Sequence, residues 1–240
     1  MILNNQKPEA ADRFIDGSVD FHSMFFTLQG EGPHTGVRSI FIRLAGCNLQ
    51  CPWCDTEYTQ GRRRVEAYDL AKKVIALAEE SKVHISDLLI VITGGEPLRQ
   101  NIDGLIHELR MWGMRVQIES NGVFAVSPRL KHWLQTDPDV QLIVSPKTSR
   151  INDQTARVAT AFKYVIEAGA QGVDGLPTRA LGHKATPEVA RPPRGMKVYI
   201  NPMDAKDEAA NRRNLEACRD AALKHGYQMG VQLHKLLNLE

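Results

Sequence analysis

Three cysteines crowd into one short segment of the chain, at Cys47, Cys51 and Cys54. Thiolates are the usual ligands of iron–sulfur clusters, and three of them leave one iron of a [4Fe–4S] cluster without a protein ligand. That iron is then open to the amino and carboxylate groups of a small molecule. The remaining cysteine, Cys218, lies on the apolar stripe of a predicted helix, where we expect a small core residue.

A zinc site is the main alternative for these cysteines. A structural zinc site needs a fourth protein ligand, which usually comes from a second pair of Cys or His residues. The nearest upstream histidines, His34 and His22, are unpaired and lie far from the three cysteines in the sequence. We therefore favour an iron–sulfur cluster and keep zinc as the second hypothesis.

The segments around the cysteines predict an α/β fold. Short β-branched apolar runs alternate with stretches in which apolar residues recur at helical spacing. Such alternation indicates a parallel sheet with right-handed crossovers. The predicted strands are 39–45, 88–93, 115–119, 140–145, 162–167 and 197–201, with a last extended piece at 228–234; the predicted helices lie near 70–78, 102–109, 128–133 and 205–224.

Polar or glycine-rich residues follow nearly every predicted strand. Because the carboxyl ends of parallel strands share one face, and ligands bind there, these segments should converge on one site. They are residues 46–48, 94–97, 120–122, 145–147, 201–204 and 234–235.

The composition is that of an ordinary globular protein, with 240 residues, 42% of them hydrophobic and 24% charged. The formal net charge of +2 gives no sign of a nucleic-acid or membrane partner, and no apolar run is long enough for a membrane helix. Residues 1–20 carry no apolar signal-peptide core, so we expect a cytoplasmic protein. We expect residues 1–20 to be a loosely ordered lead-in, 21–240 to form a single domain, and 169–195, rich in glycine and proline, to be a surface insertion.

Several motifs together resemble a known family. The CxxxCxxC spacing, with Trp53 beside the last cysteine, resembles the signature of the radical S-adenosylmethionine superfamily. From about Met24 to the end of the chain, apart from 169–195, the motifs and their order are similar to those of the 7-carboxy-7-deazaguanine synthases. The shared motifs are Thr27-Leu-Gln-Gly-Glu-Gly32, Phe41-Ile-Arg43, Cys54-Asp-Thr56, Thr93-Gly-Gly-Glu-Pro97, Val144-Ser-Pro-Lys147 and His234-Lys235.

The resemblance implies a fold and a reaction. The fold would be a partial, open (β/α) barrel of the radical S-adenosylmethionine type, with mostly parallel strands and an incomplete helix ring. The reaction would convert 6-carboxy-5,6,7,8-tetrahydropterin to 7-carboxy-7-deazaguanine with loss of ammonia, in queuosine and 7-deazapurine biosynthesis. The implied cofactors are a [4Fe–4S] cluster on the three cysteines, S-adenosylmethionine and Mg²⁺. The implied partners are a second copy in a homodimer and an electron donor such as flavodoxin or ferredoxin, with no nucleic acid or membrane.

The resemblance also assigns ligand-binding residues, among them Thr56 as a ligand of Mg²⁺. The residues expected to hold S-adenosylmethionine are Trp53, Cys54, Asp55, Gly94, Gly95, Glu96, Glu119, Ser145, Pro146, Lys147, Asn201, Pro202, Met203 and Asp204. The residues expected to contact the substrate are Leu28, Gln29, Gly30, Glu31, Arg43, Thr93, His234 and Glu240. Asn201 stands where Gln is common in the family, which leaves its individual role open.

Each motif also has a purely structural interpretation. Alone, Gly94-Gly-Glu-Pro97 predicts a strand-to-helix turn, residues 29–32 predict a surface turn, and Asp55-Thr56 predicts a helix cap. Arg43, a cation inside an apolar strand, needs either an ion-pair partner or an anionic ligand. A core histidine is the structural alternative for His234. The resemblance favours the functional interpretation in each case.

Two other functions share part of the pattern. An activase that makes a glycyl radical on a partner protein would carry the cysteine motif, but it has no reason to carry residues 27–32 and Arg43 together. A non-catalytic zinc- or cluster-binding module gives no reason for residues 94–97 and 145–147 at strand ends. We rank both below the synthase.

Overall fold

The computed structural model describes residues 4–12, 15–54, 56–182 and 188–239. Its strands are β1 (Ser18–Leu28), β2 (Arg38–Leu44), β3 (Arg63–Glu66), β4 (Leu89–Gly94), β5 (Arg115–Ser120), β6 (Val140–Val144), β7 (Ala161–Ile166), β8 (Val198–Pro202) and β9 (Gln228–Met229). They form one sheet in the order β3-β1-β2-β4-β5-β6-β7-β8-β9. The described helices are α1 (Ala67–Glu80), α2 (Asp103–Met111), α3 (Pro128–Thr136), α4 (Asp153–Val158), α5 (Glu208–His225) and α6 (Leu233–Leu236).

The sheet is mostly parallel and open. β2 and β4 to β9 all run parallel to one another, whereas β1 is antiparallel to both β2 and β3. β3 and β9 are the two edges of the sheet. In the described part of the chain no α-helix connects β2 to β3 or β7 to β8. These features confirm the predicted partial barrel with an incomplete helix ring.

The core lies between the sheet and the helices packed on it. The parallel strands are buried on both faces, so Ile90 and Ile92 of β4 are fully buried together with their neighbours. Helix α1 contributes Leu70 and Val74, which fall on one face of the helix. Cys218 of α5 is also fully buried, which confirms the core position expected from the sequence.

The predicted strands from 39–45 to 197–201 are confirmed as β2 and β4 to β8, with bounds shifted by one residue at most. The extended piece predicted at 228–234 is wrong beyond Met229. The Gly230 N–H donates to the Ile200 carbonyl, and the chain then turns into α6, so His234 lies in a helix. The turn is held because the Leu233 N–H donates to the Gly30 carbonyl across the mouth of the sheet, at 3.1 Å.

Two segments were expected to lie outside the main architecture. The predicted boundary between the lead-in, 1–20, and the domain, 21–240, falls inside a strand, because β1 begins at Ser18. Within 169–195, the side chains of Leu176 and Val189 are buried in the core, and the Tyr164 hydroxyl donates to the Ala190 carbonyl at 2.8 Å. This segment therefore packs against β7. Among the described residues, no helix combines the length and apolarity that crossing a membrane requires.

Candidate active site

Two adjoining cavities open where the parallel strands end at their carboxyl termini. The cysteine cavity, about 250 Å³, is lined by Cys47, Cys51 and Cys54. The arginine cavity, about 350 Å³, is lined by Arg43 and Thr56. The residues common to both walls are Glu31, Thr93, Glu119, Lys163 and Lys235. The predicted convergence of strand ends on one site is therefore borne out as a pair of connected cavities.

The three cysteines are free thiols in the segment that joins β2 to β3. Burial raises the pKa of Cys47 to about 12 and also raises the pKa of Cys51, so their thiolates need a cation to hold them. Among the described residues, no three His, Cys, Asp or Glu side chains gather closely enough for a single metal ion. A [4Fe–4S] cluster does not need such a group, since each thiolate binds a different iron. The donor set therefore fits a cluster.

The glycine pair after β4 allows two backbones to meet. A Cβ atom on Gly94 would collide with the Leu44 carbonyl, and one on Gly95 would collide with the Gly46 carbonyl. In return, the Gly95 N–H donates to Leu44 at 3.0 Å and the Glu96 N–H donates to Gly46 at 2.9 Å. The pair therefore joins the end of β4 to the start of the cysteine segment, while Gly94 and Gly95 still line the cysteine cavity.

A buried ammonium lies on the wall shared by the cavities. Lys163 Nζ is 2.7 Å from Glu31 Oε2 and 3.1 Å from Glu119 Oε2, and the lysine side chain is only 8% exposed. Burial alone would raise the pKa of Glu31, but the Lys163 ammonium, together with the Gln232 amide and His234, outweighs burial and lowers it to about 2. The Gln29 amide donates to Glu119 Oε1 at 3.1 Å. Glu31 is therefore an ionised, acceptor-only group.

Arg43 projects from β2 into the arginine cavity. Its guanidinium lies 5.0 Å from the centroid of the Phe25 ring, a cation–π contact. Its Nε is buried, and among the described residues it has no hydrogen-bond acceptor. A half-buried cation with a buried Nε that lacks an acceptor is ready to bind an anionic ligand.

The loop after β1 and helix α6 cover the mouth together. The Gln232 amide donates to Glu31 Oε1 at 2.6 Å, and the Lys235 ammonium donates to Gln232 Oε1 at 2.9 Å. Gly30 lies so close to His234 that a Cβ atom there would collide with the imidazole ring. The covering segments are therefore held by polar contacts and by close packing.

Most of the residues predicted from the sequence line these cavities. Those on the cysteine cavity are Cys47, Cys51, Trp53, Cys54, Gly94, Gly95, Glu119, Ser145, Lys147, Met203 and Asp204. Those on the arginine cavity are Leu28, Gln29, Gly30, Glu31, Arg43, Thr56, Thr93 and His234. Pro146 lines a smaller neighbouring cavity beside Trp53 and Lys147. Asp55 and Glu240 lie outside the described residues.

Glu96, Asn201 and Pro202 are not on the wall of the cysteine cavity. The Glu96 carboxylate accepts hydrogen bonds from the Ser120 hydroxyl at 2.7 Å and the Asn121 N–H at 2.8 Å, and burial raises its pKa to about 7. The Asn201 amide is fully buried and, within the described ranges, has no hydrogen-bond partner. Glu96 therefore lies directly behind two residues of the cavity wall, Ser120 and Asn121, and the roles predicted for Glu96 and Asn201 stay predictions.

Lys163 is the main site residue that the sequence analysis missed. It interrupts the apolar run Ala161–Ile166, just as Arg43 interrupts the apolar residues of β2. The same argument that selected Arg43, a charge inside an apolar strand, selects Lys163. Leu49 and Tyr58 also line the cysteine cavity, and nothing in their sequence context indicated it.

Comparison with known proteins adds three findings. A family model described as a 4Fe-4S single cluster domain matches residues 28–126. The chain is 38% identical over 229 residues to a 7-carboxy-7-deazaguanine synthase of Rhodospirillum rubrum, covering 92% of this chain and 93% of the relative. It is 32% identical over 231 residues to the synthase of Rickettsia prowazekii, covering 94% and 91%. The crystal structure of QueE from Escherichia coli has the same fold, with a TM-score of 0.63 at 23% identity over 90% of this chain and 95% of that one.

Proposed function

The chain belongs to the 7-carboxy-7-deazaguanine synthase family, and we propose that it converts 6-carboxy-5,6,7,8-tetrahydropterin to 7-carboxy-7-deazaguanine with loss of ammonia. The observation that carries this proposal is that the arginine cavity presents both a cation and carboxylates to a ligand. Arg43 offers a cation for a carboxylate, while Glu31 and Glu119 offer acceptors for N–H donors. A carboxylated pterin has both features, since its pyrimidine edge carries N–H donors.

The cysteine cavity supports a [4Fe–4S] cluster on Cys47, Cys51 and Cys54 with S-adenosylmethionine beside it. When bound, these two groups would supply the radical chemistry of the reaction. The protein binds and orients: Lys147, whose ammonium donates to the Ser145 hydroxyl at 2.7 Å, offers charge and hydrogen bonds to the methionine or nucleoside part. With ligands bound, the covering segments would limit the access of water to the site.

Lys163 gives the substrate site its selectivity in this proposal. Because it keeps Glu31 ionised, that carboxylate accepts hydrogen bonds and cannot donate one. A pterin whose ring edge presents N–H groups is bound, and an analogue that presents oxygen acceptors at the same edge is rejected. Thr93 lines both cavities and would contact the substrate at the side facing S-adenosylmethionine.

We further propose that the Thr56 hydroxyl contributes to a Mg²⁺ site. Thr56 lines the same cavity as Arg43, so the ion and the guanidinium would both face the substrate carboxylate. Oxygen ligands completed by water and substrate suit Mg²⁺. A homodimer and an electron donor such as flavodoxin or ferredoxin complete the proposal and rest on the family resemblance alone. The proposed cytoplasmic location rests on the sequence of residues 1–20.

The alternative, an activase acting on a partner protein, is not favoured. Such an enzyme must admit a polypeptide segment to its cavity, whereas here the loop after β1 and α6 cover the mouth through Gln232 and Leu233. The relatives that cover most of this chain are synthases of a small molecule.

The test uses anaerobically reconstituted protein, reduced with dithionite and given S-adenosylmethionine, Mg²⁺ and 6-carboxy-5,6,7,8-tetrahydropterin. Mass spectrometry should detect 7-carboxy-7-deazaguanine, and Cys51→Ala should abolish it while Cys218→Ala retains it. Formation of 5′-deoxyadenosine without the deazaguanine would show that the substrate is wrong. Formation of neither, by protein with a full cluster, would show that the enzyme proposal is wrong.

A further inference from the structure

The segment from residue 4 to residue 12, called here the N-terminal strap, runs along the back of the cysteine segment. Residues 4, 6, 9 and 12 of the strap are partly buried, whereas those between them are exposed. The strap contains no helix or strand. Nothing in the proposed reaction uses it, and it carries none of the family motifs.

The strap bonds the backbone of the cysteine segment at its beginning, middle and end. The Glu9 N–H donates to the Cys47 carbonyl at 2.7 Å. The Asn4 amide donates to the Cys51 carbonyl at 3.2 Å. Two of the three cysteines that would hold the cluster are therefore fixed by the strap at their own peptide groups.

Gln6 makes the third attachment with both ends of its amide. Its Nε2 donates to the Thr56 carbonyl and its Oε1 accepts from the Tyr58 N–H, each at 2.9 Å. The amide thus pairs with the chain as the peptide group of a neighbouring strand would. A segment without regular structure cannot satisfy its own backbone groups, so such outside partners determine its conformation.

The strap itself is anchored by a buried arginine. Arg99, 3% exposed at its side chain, donates to the Ala10 carbonyl at 3.1 Å and lies 3.5 Å from the Glu9 carboxylate. The Glu9 carboxylate also pairs with Arg62 at 2.6 Å. Arg62 follows the cysteine segment and Arg99 follows β4, so Glu9 connects the strap to both sides of the proposed cluster site.

We propose that the N-terminal strap positions the cysteine segment for the [4Fe–4S] cluster, with Gln6 and Glu9 as positioning residues. The inference rests on the proposed cluster. Gln6 and Glu9 do not line the cavity. The Gln6 amide acts on the backbone of Thr56 and Tyr58. The Glu9 carboxylate, through Arg62 and Arg99, holds in place the Glu9 N–H that donates to the Cys47 carbonyl. Loss of these contacts lets the segment move, so the three thiolates hold the cluster less firmly.

The experiment compares cluster retention in three anaerobically reconstituted proteins: wild type, Gln6→Ala/Glu9→Ala, and the control Asn5→Ala/Lys7→Ala. Asn5 and Lys7 lie in the same strap but are exposed. Release of iron to a chelator is followed by the loss of cluster absorbance, well below the Tm that circular dichroism gives for each protein. Electron paramagnetic resonance of the reduced cluster reports the ligand geometry.

We expect iron release about tenfold faster in the Gln6→Ala/Glu9→Ala variant, the effect of about one lost hydrogen bond or more, and a broadened resonance. The control should stay within about twofold of wild type. Equal release and identical spectra in all three proteins would overturn the inference. If the double variant does not fold, the single variants Gln6→Ala and Glu9→Ala decide in the same way.

The outcome is independent of product formation. If the wild type makes no 7-carboxy-7-deazaguanine and yet the double variant loses iron faster, the proposed reaction fails and the strap inference stands. If the wild type makes product and all three proteins keep their iron equally, the strap inference fails and the reaction stands.

Discussion

Lys163 and Glu31 form a close ion pair, with 2.7 Å between Nζ and Oε2, although they come from elements that are not neighbours in the sheet. Lys163 lies in β7, and Glu31 lies in the loop after β1. The pair spans the mouth of the open barrel and forms part of the wall between the two cavities. It therefore fixes both the position and the charge of a carboxylate that faces the proposed substrate.

Replacing Lys163 with Met should reverse the way in which the ionisation of Glu31 makes the free energy of unfolding depend on pH. In the wild type the pKa of Glu31 is about 2, below its ordinary 4.5, so its contribution is complete above about pH 4.5 and is lost only as the pH falls from there towards 2. In Lys163→Met, burial is opposed only by the weaker contacts with Gln232 and His234, and we expect it to raise the pKa of Glu31 above the ordinary value. The folded variant then binds a proton more tightly than the unfolded chain, so its stability falls as the pH rises.

Urea denaturation of wild type and Lys163→Met under anaerobic conditions tests this. Breaking the pair should cost about 3–5 kcal/mol, with a larger difference at pH 8 than at pH 5.5. Lys163→Arg is the matched control, because it keeps the cation, and its pH dependence should follow the wild type. A difference that is the same at both pH values would show that Lys163 does not control the charge of Glu31.

Arg43→Met should weaken substrate binding with little effect on folding. The guanidinium has no ion-pair partner among the described residues, so its removal strands no buried carboxylate and loses mainly the contact with Phe25, worth about 0.5–1 kcal/mol. A charge-assisted bond to the substrate carboxylate is worth about 1.5–3 kcal/mol, so KM should rise about ten- to a hundredfold. Arg38→Met, on the same strand but exposed, is the control. An unchanged KM would remove Arg43 from the substrate site.

Gly95→Ala should prevent correct folding of the cysteine segment. The added Cβ would meet the Gly46 carbonyl, which belongs to the backbone and cannot rotate away. Iron content after reconstitution should fall to a small fraction of wild type. Gly104→Ala is the control, because a Cβ in α2 meets only ordinary contacts at 3.4 Å or more, and alanine favours the helix by about 1 kcal/mol. Normal iron content in Gly95→Ala would contradict the close approach of β4 to this segment.

Gln232→Ala should loosen the cover of the mouth. It removes the donor 2.6 Å from Glu31 Oε1 and the acceptor of Lys235, both next to the substrate site. Steady-state kinetics should give a KM for the pterin about tenfold higher, because a hydrogen bond to a charged group is lost. Leu236→Ala, also in the covering segment but with an exposed side chain, should behave as wild type. Equal kinetics in both variants would mean that the contact does not hold the cover closed.

The central fold was predictable because its strands are buried on both faces. Such strands consist of continuous apolar runs, for example 88–93 and 140–145, which can be recognised from the side-chain types alone. Strands β1 and β3 were not predicted, because neither is a continuous apolar run: polar residues such as Asp20 interrupt β1, and Val65 is the one apolar residue of β3. His234 was placed in a strand because a short apolar run does not distinguish a strand from one turn of helix.

The site residues that belong to recognised motifs were predictable from the sequence. Arg43 and Lys163 show the same pattern, a charge in an apolar strand, but only Arg43 belongs to a recognised motif. The attachment of the N-terminal strap to Cys47 and Cys51 was not predictable. Its hydrogen bonds end on backbone carbonyls, which every residue has. They therefore place no requirement on the side chains of the cysteine segment, and the sequence of that segment does not indicate them.

The contact that covers the mouth also sets an order of events during protein synthesis. Gln232 and its partner Glu31 are 201 residues apart in the chain. At about 5–20 residues per second, the ribosome adds Gln232 roughly 10–40 s after Glu31. The strap, the cysteine segment and the central strands can all fold in that interval, while the mouth stays uncovered. In a nascent chain whose earlier segments fold as they are made, the proposed cluster site would form before Gln232 is added, and an iron–sulfur cluster would still have access to it.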